Sequence, residues 1–273
     1  MSEKYILIKP ADNCGMCGYI WQTIRVMFHN PDKKYYIDFE NSIYKASDDN
    51  VWDLFFEQPH IDKKPSEDQI EEEIGMVFDV ETQSAPEESE FVWSETRPNT
   101  PDEIQRRRDK FCSLIEKNIK LKPHVQKKVD NFVEQNFKGK KVLGVHLRGT
   151  DHPEKKHMDV YLQAIKEKIK DYDVLFICSD DHDRFRLATV AFKNKAVSYN
   201  SVRSRKNGFP LHEHPHLTSY GIDRSFEYQY KIAEDVIIEA YLMSKVDFLL
   251  CCPASNVNYF SRSINPKLQC EEL

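Results

Sequence analysis

Val142-Leu143-Gly144-Val145-His146-Leu147-Arg148-Gly149-Thr150-Asp151 is the stretch on which the fold turns. An apolar run from Val142 to Leu147 stops abruptly at an arginine, a glycine and two polar residues. A short continuous run of this kind, ended by a turn signal, reads as a strand buried on both faces, the strand type of a parallel sheet. The pattern repeats outward from it. Tyr161 to Ile169 has helical spacing, Val174 to Cys178 is a second apolar strand, and His182 to Phe192 a second helix. Ala196 to Tyr199 is a short strand, Glu227 to Ser244 a long helix, and Phe248 to Cys252 a last strand before a helix from about Asn256. Strands alternating with helices at this spacing predict a doubly wound sheet.

The amino-terminal half carries the same signal more faintly. Lys4 to Lys9 reads as a strand, Asn13 to Gly18 as a turn, Tyr19 to Phe28 as a helix and Tyr35 to Phe39 as a strand, which makes a βαβ unit. Thr100-Pro101-Asp102-Glu103 is a helix start, with Thr100 as N-cap, Pro101 at the first position and Glu103 at the third. That helix runs to about Ile119, and Lys122-Pro123 opens another that ends near Lys138-Gly139. Ser66 to Glu90 holds ten acids and no Lys or Arg. It reads as part of a peripheral insertion spanning about 60–100. The expected architecture is α/β, with two Rossmann-like doubly wound domains, 1–138 and 139–273, facing a cleft.

Composition narrows the function. The 273 residues are 40% hydrophobic and 12% aromatic, enough for real cores, so wholesale disorder is excluded. A net charge of −6 argues against a general nucleic-acid binder. The acidic segment supplies all of that excess, since removing its ten charges from −6 leaves the rest at +4. No apolar run is long enough for a membrane span, and Ile6-Leu7-Ile8 is too short for the apolar core of a signal peptide. A cytosolic protein with mostly reduced thiols among its seven cysteines is expected. Glycine numbers only 8, and neither GxGxxG nor a P-loop is present. A phosphorylated ligand would be held by arginine and helix N-termini.

In open α/β sheets ligands bind beyond the carboxyl ends of the strands. Four turns belong to that edge: Asn13–Gly18, His146–His152, Ser179–Asp183 and Pro253–Asn256. Arg148 presents a fork of donors suited to a diphosphate, and Gly149 would let backbone approach the ligand. The alternative is a strand-end arginine paired with a carboxylate, with Thr150-Asp151 as a helix cap. Ser255 and the amides around Asn256 open a helix and suit an anion, or Ser255 is an ordinary N-cap. Asp181-x-Asp183 could hold Mn²⁺ or Mg²⁺ against a diphosphate, although a capped turn is the favoured reading. Cys14-x-x-Cys17 lacks the second pair that zinc needs, and His212-x-His214-x-His216 fits an exposed loop better than a metal site.

These motifs, in this order, resemble the α1,6-fucosyltransferases, the bacterial Nod-factor fucosyltransferases and, more remotely, the protein O-fucosyltransferases. The resemblance rests on His146-x-Arg148-Gly149-Thr150-Asp151, on Ser179-Asp180-Asp181, and on Asp235-Val-Ile-Ile-Glu239 through Asp247 to Ser255-Asn256-Val257. It is good over 140–265, weak over 1–60 and absent over 60–135, with Asn13, Gly15 and Gly18 resembling the family's first loop. It implies a GT-B fold and inverting, metal-independent transfer of fucose from GDP-fucose to a glycan hydroxyl, with no cofactor. Arg148 would clamp the diphosphate, with Ser255 and Asn256 completing the phosphate site and Asp181 beside it. His146 and Glu239 would face the nucleotide, the carboxylate accepting from guanine. Asp151 and Glu154 are candidates for the base that activates the acceptor, or Asp151 braces Arg148. A bacterial enzyme, or a viral one in the host cytoplasm, is expected. The competing readings are another nucleotide sugar such as UDP-xylose, a metal-dependent transferase through Asp181 and Asp183, and a non-catalytic glycan-binding descendant of the fold.

Overall fold

The computed structural model describes residues 3–10, 14–45, 47–76, 100–149, 157–205, 211, 226–252 and 255–273. The chain forms two compact units, Met1–Lys122 and Pro123–Leu273.

The first unit runs β1 (Tyr5–Pro10), α1 (Met16–His29), β2 (Tyr35–Ile37), α2 (Val51–Phe55), β3 (Ile70–Met76) and α3 (Pro101–Asn118). Its parallel sheet has the order β2-β1-β3. Ile6, Leu7 and Ile8 of β1 are buried, as an apolar run in a central strand should be. Helix α1 is buried nearly all round, and Trp21 on it meets Phe111 of α3 edge-on at 5.2 Å. Thr100 and Glu103 close the expected capping box, Thr100 N–H donating to Glu103 Oε2 at 2.8 Å and Glu103 N–H to Thr100 Oγ1 at 3.3 Å.

Two expectations for this unit need correction. The helix α1 begins at Met16, so Cys17 and Gly18 lie in its first turn and only the residues ahead of it form a turn. The acidic segment is also not wholly peripheral: Ile70–Met76 is a strand of the sheet. Glu71, Glu72 and Glu73 are tolerated because β3 is an edge strand, where charge also deters pairing with another chain. Lysines of the neighbouring strand and loop answer them, Lys9 to Glu73 at 3.0 Å and Lys33 to Glu71 at 2.5 Å. Residues 77–99 of the segment lie outside the described residues.

The second unit runs α4 (Pro123–Asn136), β4 (Val142–Leu147), α5 (Met158–Lys168), β5 (Val174–Ser179), α6 (His182–Ala191), β6 (Ala196–Val197), α7 (Phe226–Met243), β7 (Phe248–Cys251), α8 (Asn256–Ile264) and β8 (Gln269–Glu272). All five strands are parallel, in the order β6-β5-β4-β7-β8. The order runs one way from β4 to β6 and the other from β7 to β8. The switch point therefore lies between β4 and β7, where open α/β sheets bind ligands. Leu143, Val145 and Leu147 of β4 pack with Leu175, Ile177, Tyr161, Ile165, Ala188 and Leu250 in one buried core.

The helix α4 goes with this unit, so the division falls ahead of the expected boundary near 138. Val125 and Val129 of α4 are buried, Lys128 pairs with Glu234 of α7 at 2.6 Å, and Phe137 packs edge-on against Phe176 of β5 at 5.4 Å. Gly139, in the left-handed region at φ 71°, turns the chain from α4 into β4.

Candidate functional site

The sheet register builds the site. Leu147 of β4 pairs with Ser179 of β5, so the next residues along, Arg148 and Asp180, leave the sheet side by side. Arg148 Nη1 meets Asp180 Oδ2 at 2.7 Å, and Gly149 N–H donates to Asp180 Oδ1 at 2.9 Å. One carboxylate thus fixes both the guanidinium and the backbone that follows it. The side chains of Arg148 and Asp180 remain 21% and 15% exposed, so the pair stands at the edge and is not sealed in the core. Ser179 Oγ donates to Leu147 O at 2.7 Å and ties the two strand ends together.

Gly149 serves a packing purpose as well. A Cβ there would lie 2.3 Å from Asp181 Cβ and 2.8 Å from Arg184 Cδ, so the glycine admits the β5–α6 turn. The carboxylate of Asp181 is the N-cap of α6: Oδ1 accepts from Asp183 N–H and Arg184 N–H, each at 2.9 Å. This is the capped turn, and it commits Asp181 to the helix. No group of three or more His, Cys, Asp or Glu among the described residues is gathered as metal ligands would be.

Across the switch point, Ser255 holds the N-cap position of α8 with extended backbone, yet its hydroxyl makes no capping hydrogen bond. The ordinary N-cap reading of Ser255 therefore fails. Ser255 is buried and Asn256 exposed at the start of the helix, whose first amides point out of its amino end. His146 is buried, and its Nδ1 lies 2.6 Å from Asn258 Oδ1. Asn258 Nδ2 donates to Cys252 O at 2.6 Å, which leaves Oδ1 as the acceptor and places the proton on His146 Nδ1. His146 thus binds the end of β4 to α8.

Glu239, on α7, lies beneath the same edge and is buried. Its Oε1 accepts from Ser201 Oγ at 2.5 Å, its Oε2 from the Cys178 thiol at 3.2 Å, and Arg203 Nη2 stands 3.9 Å away. Burial pushes the Glu239 carboxyl up to about 7, against the opposing pull of Arg203 and the Ser201 hydroxyl. Burial likewise pushes the Cys178 thiol well up, with the Glu239 carboxylate adding to it.

The structure therefore gathers Arg148, Gly149, Asp181, His146 and Glu239 on one edge, with Ser255 and Asn256 at the end of β7. Gly15 and Gly18 belong to the first unit, where Gly15 is the N-cap of α1. Asn13, Asp151, Glu154 and the histidines at 212, 214 and 216 lie outside the described residues. No disulfide links the seven cysteines, all of which lie among the described residues, and Cys14 Sγ accepts from Gln22 Nε2 at 3.5 Å. Sequence reasoning quoted Asp180 but gave it no role, and missed Ser201, Arg203 and Asn258. The signal for Asp180 was its equivalence in strand position to Arg148, legible once β4 and β5 are taken as neighbours.

Neither a protein-family model nor a curated protein sequence matches the chain. Solved structures do match it over nearly its full length. NodZ α-1,6-fucosyltransferase soaked with GDP-fucose superposes with a TM-score of 0.54 at 19% identity, over 97% of this chain and 94% of that one. The fold is that of the NodZ-like fucosyltransferases. An Arabidopsis thaliana FUT1 mutant in complex with GDP is similar at TM-score 0.55 and 11% identity, over 98% of this chain and 70% of that one. POFUT1 in complex with GDP is similar at TM-score 0.53 and 11% identity, over 98% of both. Within the NodZ-like fold, the edge that carries Arg148 is the one at which α/β sheets take their ligands. No described helix is long and apolar enough to cross a membrane.

Proposed function

We propose that this chain is a glycosyltransferase that moves a sugar from a nucleotide diphosphate, GDP-fucose first among them, to a hydroxyl of a glycan. Arg148 is paired with a carboxylate, as the alternative reading has it; the observation that carries the donor reading is its place, since the pair stands at the switch-point edge and the arginine side chain stays 21% exposed. Its support from outside is a fold shared with fucosyltransferases whose crystals hold GDP or GDP-fucose. We assign the donor to the second unit and the acceptor to the first.

The chemistry follows charge. As the bond from the anomeric carbon to the diphosphate oxygen breaks, negative charge grows on the leaving group. Arg148, already oriented by Asp180, and the amides at the start of α8 stabilise that charge without reorganising. The Ser255 hydroxyl donates to the same group. The sugar becomes oxocarbenium-like, and the acceptor hydroxyl attacks from the opposite face, inverting the centre. Asp151 and Glu154 are the proposed takers of its proton. Glu239 reads the base in this scheme: each carboxylate oxygen has a lone pair beyond the one used by Ser201 or Cys178, and guanine offers two donors on one edge. With Asp181 capping α6, the diphosphate charge falls to Arg148 rather than to a metal held by Asp181 and Asp183.

The test is transfer of labelled fucose from GDP-fucose to a panel of glycans in EDTA. Transfer is expected, with Arg148→Ala lowering kcat/KM by about 10²–10³-fold, the scale of losing one charge-stabilising donor. Unchanged activity in Arg148→Ala, or activity found only with added Mn²⁺, overturns the mechanism.

A further inference from the structure

The segment after β6, from Tyr199 to Arg205, belongs to no helix or strand, yet Ser201, Val202, Arg203 and Ser204 are all buried. It is tied on two sides. On one side are three residues of α7, spaced four apart and so on one face of the helix. Lys231 Nζ donates to Asn200 O at 2.9 Å and to Asp235 Oδ1 at 2.7 Å. Val202 N–H donates to Asp235 Oδ2 at 2.8 Å, and Ser201 Oγ donates to Glu239 Oε1 at 2.5 Å.

On the other side is the turn that holds Asp180. Ser204 N–H donates to Asp180 O and His182 N–H to Ser204 O, both at 2.8 Å, a parallel bridge that extends the sheet beyond the end of β5. Arg203 braces the segment from within. Its Nη1 donates to Ser201 O at 2.8 Å, its Nη2 to Tyr199 O at 3.1 Å, and its guanidinium lies 3.7 Å over the ring of Phe185. Asp180 is thus fixed through its carbonyl by Ser204, while its two carboxylate oxygens hold Gly149 and Arg148.

We propose that Ser201 is a positioning residue: the Ser201–Ser204 segment, anchored on Asp235 and Glu239, sets the place of Asp180 and through it the guanidinium of Arg148. The path is continuous within one unit: hydrogen bonds at each end of the Ser201–Ser204 backbone, then an ion pair from Asp180 to Arg148. The Ser201 hydroxyl is its most exacting link, because removing it leaves a buried carboxylate oxygen without its shortest donor. A shift of the segment then carries the Asp180 backbone with it. The proposal rests on the donor reading for its consequence in binding, and not for its consequence on Arg148 in the nucleotide-free protein.

The experiment has two arms on the full chain. The side-chain Nε–H resonance of Arg148, assigned by its loss in Arg148→Lys, is recorded without nucleotide in wild type, Ser201→Ala and Ser201→Thr. GDP affinity is measured by calorimetry for the same proteins and for Asp180→Asn with and without Ser201→Ala. Ser201→Ala is expected to move or broaden the Arg148 resonance and to weaken GDP about tenfold, equivalent to losing one ordinary hydrogen bond's worth of order. Ser201→Thr restores both. In the double variant Ser201→Ala adds nothing to Asp180→Asn when both act on one path, whereas an effect that adds travels through Glu239 and the base instead. An Arg148 resonance unmoved by Ser201→Ala, or effects of the two substitutions that simply add, overturns the proposal. A wild-type chain that does not bind GDP would defeat the donor reading, and the resonance arm alone would then decide.

Discussion

At the scale of single residues, neighbours set roles that residue type alone does not. A methyl at position 149 would sit 2.3 Å from Asp181 Cβ, so Gly149→Ala should cost about 1–3 kcal/mol of stability, as overpacking does, measured by urea unfolding. Glu239 sets a pH dependence. Its carboxyl is raised from 4.5 to about 7 in the fold, so the native chain holds that proton more tightly than the unfolded chain. Its contribution is full below about 4.5, declines as pH rises towards 7 and is flat above, a loss of about 3 kcal/mol in all. Glu239→Gln should flatten that difference between unfolding curves at pH 5 and pH 8. A slope unchanged in the variant would show that Glu239 is not its source. Arg148 was legible as the charge on which a buried strand ends. Its partner was not, because Asp180 lies on another strand, and only the β4–β5 register brings them together. Ser255 was legible by position, while the absence of a cap bond from its hydroxyl depends on local backbone geometry.

At the scale of elements, the buried strands were readable, as were the edge strands β2 and β6, and the charged edge strands β3 and β8 were not. Val142–Leu147 and Val174–Ser179 are apolar but for His146 and the closing Ser179, because neighbours cover both of their faces. The edge strands β3 and β8 read Ile-Glu-Glu-Glu-Ile-Gly-Met and Gln-Cys-Glu-Glu, and charge hides the strand pattern where solvent takes one side. Helix α2 is five residues long, too short for a 3.6-residue period to show. The turn after β5 yields a prediction at this scale. Asp181→Ala removes the N-cap of α6 and should cost about 1–2 kcal/mol, whereas Asp181→Asn keeps a capping oxygen and should cost far less. Comparable thermal shifts for the two would mean that the carboxylate does something other than cap.

At the scale of the whole molecule, each of the two units is built on one parallel sheet, and the division between them follows packing. The loop around Gly139 looks like a linker because glycine and lysines gather there, but α4 on its amino side is buried against the second unit. A fragment of residues 123–273 should therefore unfold cooperatively. One of 139–273 should not, having lost Val125, Val129 and the Lys128 partner of Glu234. Equal cooperativity in the two fragments would remove α4 from the unit. Under the proposed function, the charge of the donor diphosphate is met at one edge by one arginine held by one carboxylate. Calorimetric titration of the full chain with GDP and with UDP in EDTA, repeated with Arg148→Ala, tests that account most directly. It predicts GDP-selective binding that survives the chelator and is lost in the variant. Binding that Arg148→Ala leaves intact, or no preference for GDP over UDP, would contradict it.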